Sequence, residues 1–408
     1  MTNYSLCLGI ILVTLSNLAS AMSFDNRFIP LIQHPYITVP DRPSHGRVDV
    51  FMATANRAFG RLDDEIGIYE VFGSYDERDI EQAVRTIGLT VPLPSGLQLL
   101  ELPWTVEGKI QAQGLNFCFQ QAVHEWLWIG FSWFFMRVDA RQEFFFLRSD
   151  TTALTLSEQQ EIAAARRQMQ EMLGLQGPFS AQSGMGDFDG YVRFGSIWDY
   201  PYKFRHVEAG LRLGFFAPVG VRRNINNPAS IPFGGDGHWG IYALVDSEFE
   251  VKEDWKFGLW LMGSKRFDRT TNQRMAVGKE PYIYGPIVGK ANVNPGGTFV
   301  FLPYFQFENL RDGFGVRVQY TMTIHGHDKW TDARVNKTIP VNLARVRETS
   351  SWASDYFTLN VFYDFGKVKV VREFEPILTF NWDIPAAMIV GNNATKTNKV
   401  SLGFEFNW

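Results

Sequence analysis

The last nine residues, Val400-Ser401-Leu402-Gly403-Phe404-Glu405-Phe406-Asn407-Trp408, place an apolar side chain at every even position and a polar residue or glycine at every odd one. Successive side chains of extended backbone point to opposite faces, so Val400, Leu402, Phe404, Phe406 and Trp408 share one face. The period recurs upstream. Phe357, Leu359, Val361, Tyr363 and Phe365 alternate with Tyr356, Thr358, Asn360 and Asp364. Phe314, Val316, Val318, Tyr320, Met322 and Ile324 alternate with Arg317, Gln319, Thr321 and Thr323. A chain written this way builds a sheet with one apolar and one polar face. In lipid every backbone N–H and C=O must be paired, so such a sheet has to close on itself. Each strand then needs about 9–11 residues to cross.

Composition narrows the class. Hydrophobic residues make up 45% and aromatic ones 15%, which excludes a disordered chain. No segment beyond the N-terminal leader has the 18 uninterrupted apolar residues of a spanning helix. A net charge of −4 gives no footing for nucleic acid. Leu6 to Leu15 form a short apolar run, and Ala19-Ser20-Ala21 supplies the small residues a signal peptidase needs, so 1–21 reads as a signal peptide. Cys7 would leave with it, and Cys118 reads as a packing residue. With a signal peptide in front, the final aromatic strand resembles the C-terminal β-signal of Gram-negative outer-membrane proteins. That resemblance implies the outer membrane as location. It implies outer-membrane lipid, lipopolysaccharide and the barrel-assembly machinery as partners, and Val400, Leu402, Phe404, Phe406 and Trp408 as the assembly signal. A secreted β-sandwich is the bland alternative.

The expected fold is an all-β transmembrane antiparallel barrel over 47–408. Nine strands follow from the alternation downstream of Asp187, and two more lie near Val106 to Cys118 and Leu127 to Phe135. Weaker candidates fall at 48–58, 65–74 and 82–91. Together they make about fourteen, and leaving out the first pair makes twelve. Short turns at 199–202, 252–254, 309–313 and 366–367 alternate with long connections at 217–238, 268–297, 327–351 and 383–397, as in bacterial barrels. One short helix is expected in the long outer loop between about 139 and 185. Ser157-Glu158-Gln159-Gln160 suggests a capping box with Ser157 as N-cap, and Gly174 a stop. It fits a helix packed on the rim, or a lid or lumen plug. Residues 22–46, with Pro30, Pro35, Pro40 and Pro43, cannot be a central strand. They fit a lumen plug or a segment across the periplasmic mouth.

No catalytic set, cofactor motif or metal framework stands out, so an enzyme is not expected. His325 and His327 read as exposed loop histidines, and Gly234-Gly235-Asp236-Gly237-His238 as a turn. The polar faces are more informative. Parity turns Arg193, Glu208, Arg212, Asp246, Glu248, Glu250, Glu308, Arg317, Lys369, Glu373, Glu375 and Glu405 inward, with Trp260, Tyr242, Tyr304 and Phe362. Charges inside a barrel need water or partners. They fit either a solvated, salt-bridged wall or a selective translocation path.

Gly210-Leu211-Arg212-Leu213-Gly214-Phe215-Phe216-Ala217-Pro218-Val219-Gly220, then a Gly-rich loop and Gly237-His238-Trp239-Gly240, is similar to a strand–Pro–x–Gly–loop–Gly pattern in outer-membrane transporters of the phenol meta-pathway type, distant relatives of the fatty-acid transporter barrels. The similarity covers about 70 residues. Those transporters carry an Asn-Pro-Ala motif in an N-terminal hatch, whereas Asn227-Pro228-Ala229 lies mid-chain, so the motif's role does not transfer. The expected function is passive passage of small solutes, hydrophobic or amphipathic. A plugged structural or surface-interaction barrel is the alternative.

Overall fold

The computed structural model describes residues 26–37, 42–61, 64–146, 154–200, 203–367 and 376–408. The signal segment 1–21 and the charges Lys369, Glu373 and Glu375 lie outside the described residues.

Twelve antiparallel strands close a barrel. They are β1 (His45–Ala55), β2 (Pro103–His124), β3 (Leu127–Phe146), β4 (Phe188–Asp199), β5 (His206–Ala217) and β6 (Gly240–Lys252). They continue as β7 (Trp255–Arg266), β8 (Gly297–Arg311), β9 (Phe314–His325), β10 (Trp352–Asp364), β11 (Pro376–Pro385) and β12 (Asn398–Asn407). Neighbours in sequence are neighbours in the wall, and β12 closes on β1 in a register from His45↔Asn407 to Thr54↔Asn398. Two more strands, Tyr75–Asp76 on β2 and Phe179–Met185 on β3, bring the sheet to fourteen without entering the ring.

The candidate at 48–58 is β1. The other two weak candidates are not barrel strands. The 65–74 segment is a two-residue strand followed by a 3-10 turn, Ile68–Phe72. The 82–91 segment begins inside helix α1 (Glu77–Thr86), whose N-cap Asp76 accepts the Arg78 N–H at 2.9 Å. Its buried Ile80, Ala83 and Val84 follow helical spacing, so helix capping wins over strand propensity there.

The outward faces of the strands carry exposed apolar side chains, among them Val50, Ile129, Leu213, Val245, Leu261, Phe299, Val318, Phe380 and Leu402. At the short-turn end lie exposed Trp126, Trp198, Tyr200, Trp255 and Trp408, the interfacial aromatic girdle of a membrane barrel. Among the described residues no helix is long and apolar enough to cross a membrane. The molecule is a multi-pass membrane β-barrel, with short turns at one end, the periplasmic end in the expected topology, and long loops at the other.

Inward glycines shape the lumen. Gly258 faces Tyr304 across β7 and β8, and a Cβ there would meet the ring at 2.0 Å. Gly214 faces Tyr242 in the same way at 2.3 Å. The missing side chain lets the aromatic lie flat on the neighbouring strand, so large rings fit without filling the bore.

β2 and β3 run 22 and 20 residues, about twice a crossing, so their outer halves stand above the membrane. A cap forms around them. It comprises α1, α2 (Leu156–Met172), α3 (Leu343–Ser350) and a three-stranded sheet of Arg269–Met275, Ile287–Asn294 and Lys329–Asp332. The N-cap of α2 is Thr155 rather than Ser157. The Thr155 hydroxyl accepts the Glu158 N–H at 3.3 Å and Glu158 accepts the Thr155 N–H at 2.7 Å, a capping box two residues earlier in the chain. The helix packs on the rim: the Arg166 guanidinium lies 3.8 Å from the Phe144 ring centroid and 5.1 Å from that of Trp104.

Candidate functional site: the lumen and its N-terminal segment

Residues 26–37 thread the barrel from the loop end towards the periplasmic end. At the top, Asn26 donates to the Pro232 carbonyl at 2.8 Å. The Thr395 hydroxyl reaches the Arg27 and Phe28 carbonyls, and the Thr397 hydroxyl that of Phe28 at 2.6 Å. Midway, Gln319 donates to the Gln33 carbonyl at 3.2 Å. Lower down, Arg317 donates from Nη1 to the Pro35 carbonyl at 2.6 Å and from Nη2 to the Tyr36 carbonyl at 3.4 Å. Glu405 accepts the Ile37 N–H at 2.5 Å, and the Tyr36 ring stacks on His45 at 4.9 Å. Pro30 and Pro35 lack the N–H that sheet pairing needs, so wall side chains, not a strand ladder, satisfy this backbone.

The segment divides the interior. A cavity of about 170 Å³ lies on the loop side, against Arg27 and Phe28. A much smaller one of about 30 Å³, bordered by Leu31, His34, Tyr36, Cys118 and Trp260, lies at mid-depth. A vestibule of about 650 Å³, bordered by Arg42, His124, Glu208, Glu250 and Lys256, opens at the periplasmic end.

The described lumen candidates share the inward side, and most meet a countercharge. Arg193 pairs with Asp246 at 2.5 Å and Glu208 at 2.8 Å, and Arg212 approaches Asp246 at 3.5 Å. Glu248 and Glu308 share Lys256, at 3.4 and 2.7 Å. Glu308 also takes Lys367 at 2.6 Å. Glu405 lies 3.8 Å from Arg47, which pairs with Asp49 at 2.9 Å. Glu250 borders the periplasmic vestibule. Arg317, 1% exposed, bonds Gln306 at 2.5 Å besides the segment carbonyls. The guanidiniums also sit over aromatic faces: Arg193 over Trp128 at 4.7 Å, Arg212 over Trp260 at 4.5 Å, and Arg317 over Tyr304 at 5.1 Å. Phe362 is buried with Ile37 of the segment and Ile377.

Reading by parity missed Arg47, Asp49, Lys256, Asp383 and Lys399. Each has the inward parity of its strand, and Lys399 pairs with Asp383 at 2.8 Å. Strict alternation carried to the strand ends would have found them. His325 differs from its reading as an exposed loop residue. It ends β9, is buried, stacks on Trp352 at 5.6 Å and bonds Thr298 at 2.8 Å. His327 is exposed. Val400, Leu402, Phe404, Phe406 and Trp408 all lie on the outward face of the closing strand end. Among the described residues no group of three or more His, Cys, Asp or Glu could hold a metal.

No protein-family model and no curated protein matches the chain. Solved structures do. The COG4313 outer membrane channel from Pseudomonas putida F1 superposes with a TM-score of 0.51 at 10% identity, covering 93% of this chain and 100% of that one. A Pseudomonas aeruginosa FadL homologue gives 0.32 at 10%, covering 90% of each chain, and the P. putida toluene transporter TodX gives 0.32 at 9%, covering 91% of each. The first of these likenesses identifies the fold as that of an outer-membrane β-barrel.

Proposed function

We propose that this protein is an outer-membrane transport channel for small amphipathic solutes, closed at rest by its N-terminal segment. The observation that carries the reading is the course of residues 26–37. They lie between the outer cavity and the periplasmic vestibule, held by side chains from several strands. The segment's apolar side chains Phe28, Ile29 and Leu31 pack into the core and Ile37 lies against Phe362 and Ile377. Its backbone, by contrast, is held by wall side chains, through hydrogen bonds that water can replace, which suits a gate. The mixture of guanidiniums and aromatic faces around the bore supports an amphipathic solute. The name of one neighbouring structure, an outer membrane channel, supports passage through the bore. The number of direct contacts on the segment favours one second reading, a permanently plugged structural barrel.

Planar-bilayer conductance separates them. The expected result is low or intermittent conductance from the chain beginning at residue 22, and a steady open level when 22–41 are deleted and β1 is spared. Silence from both, with each running as a heat-modifiable folded barrel, overturns the channel reading in favour of the plugged barrel.

A further inference from the structure

The outer cavity has a composition the resting gate does not require. Phe72 is buried beneath it, and two guanidinium groups lie against that one ring: Arg27 at 4.4 Å and Arg223 at 4.7 Å from its centroid. Phe28 packs on Phe72 at 5.6 Å, Tyr282 meets it edge to face at 5.4 Å, and Trp330 lies 5.6 Å from Tyr282. The cations have only neutral acceptors. Arg27 donates to the Thr349 carbonyl at 2.8 Å and Arg223 to the Tyr282 hydroxyl at 3.1 Å. Among the described residues no carboxylate lies within 4.0 Å of either guanidinium.

The nearby acids are engaged elsewhere. Asp187 holds Arg266 at 2.8 Å and the Gly235 N–H at 2.6 Å. Asp328 takes His325 at 3.2 Å and the Gly296 N–H at 2.8 Å. Asp236 accepts the backbone N–H of Arg223 at 2.8 Å, and burial pushes its carboxyl up while the Arg223 charge draws it down. Burial draws the Arg27 guanidinium down to about 10, and the Arg223 charge adds to the fall. Two neighbouring cations without an ion pair, set in aromatic walls around a cavity of about 170 Å³, form a receptor for an anion attached to a flat apolar body.

We infer that this cavity binds a small aromatic carboxylate, with Arg27 and Arg223 on the carboxylate and the Phe28–Phe72–Tyr282–Trp330 row on the ring. The site deepens the channel reading and rests on it for its biological use. Arg27 belongs to the gate segment, so a carboxylate that competes with the Thr349 carbonyl for Arg27 loosens the top of the gate.

Binding is measured without transport, by isothermal titration of the detergent-solubilised full chain. The probes are benzoate, benzyl alcohol (the ring without charge), acetate (the charge without the ring) and inorganic phosphate. Benzoate is expected to bind at least tenfold more tightly than the other three. Arg223→Gln should weaken benzoate at least tenfold and leave benzyl alcohol unchanged, while Arg222→Gln, an exposed neighbour, should leave both unchanged. Heat-modifiability confirms that each variant is a folded barrel. Equal affinity for benzoate and benzyl alcohol, phosphate binding as tightly as benzoate, or equal effects of the two substitutions overturns the site. If benzoate fails to bind while deletion of 22–41 still opens the pore, the site falls and the channel stands. If benzoate binds and the deletion stays silent, the channel falls and the site stands.

Discussion

Arg317 is the side chain whose removal should do most to free the gate. It is fully buried and donates to two carbonyls of the N-terminal segment, at 2.6 and 3.4 Å. Each hydrogen bond from a charged donor contributes about 1.5–3 kcal/mol, with the longer one at the low end or below. Arg317→Met keeps most of the volume and removes both donors. The closed state should lose about 3 kcal/mol against the released state, which multiplies the released population roughly a hundredfold. Gln319→Leu removes one neutral bond at 3.2 Å and should shift it only about fivefold. Cys118 supplies the assay. It is the one cysteine beyond residue 21, and it borders the mid-depth cavity against the segment. Its alkylation by a small charged thiol reagent in liposomes reads the released fraction directly. The rate should rise in the order wild type, Gln319→Leu, Arg317→Met, with open probability in bilayers rising in parallel. If Arg317→Met folds and both rates stay within threefold of wild type, the carbonyl contacts do not hold the gate, and the reasoning fails.

Three further outcomes follow from the same geometry. Glu77, 1% exposed in the cap, has its carboxyl pushed up to about 8 by burial, and its Oε2 accepts the Trp104 indole N–H at 2.9 Å. A raised carboxyl favours the fold below its ordinary value of 4.5 and loses that contribution as pH climbs through about 8. The cap should therefore weaken by about 2–5 kcal/mol between pH 5 and pH 9, read as faster hydrogen exchange in 77–86, and Glu77→Gln should flatten the profile. Gly258→Ala would drive a methyl group into Tyr304, so the barrel should lose about 1–3 kcal/mol in urea unfolding, whereas Gly263→Ala, with open space beside it, should be near neutral. Trp408 packs on Phe406 and Phe119 at 5.5 and 5.4 Å and donates to Gln121 at 3.2 Å. Trp408→Ala should cut the yield of folded barrel in proteoliposomes carrying assembly machinery several-fold, and a yield equal to wild type would remove the last residue from the assembly signal.

What could be read from the chain depended on where lipid touches it. From β4 to β12 one face meets hydrocarbon, so alternation marks each strand and even the inward charges follow by parity. β3 shows where that stops. Its outward residues run Ile129, Phe131, Trp133, Phe135 and then Arg137, Asp139, Arg141, Glu143. The strand continues unbroken, but above the membrane its outer face meets water, and the hydropathy signal disappears while the hydrogen-bond ladder does not. The same change hid the outer half of β2. Pairing in the lumen is a different problem. Parity puts Arg193 and Asp246 inside, but only the β4–β5–β6 register brings them to 2.5 Å. The gate lies furthest from local pattern. Pro35 meets Arg317 across 282 positions of sequence, through a carbonyl that every residue type possesses. Contacts of that kind leave no trace in the residues that accept them. Their donors can be recognised only as inward polar side chains that the ion-pair network leaves over, and Arg317 and Gln319 are such a pair. In a barrel with a threaded terminus, inward donors that the ion-pair network leaves over are therefore the first positions to test for contact with the terminus.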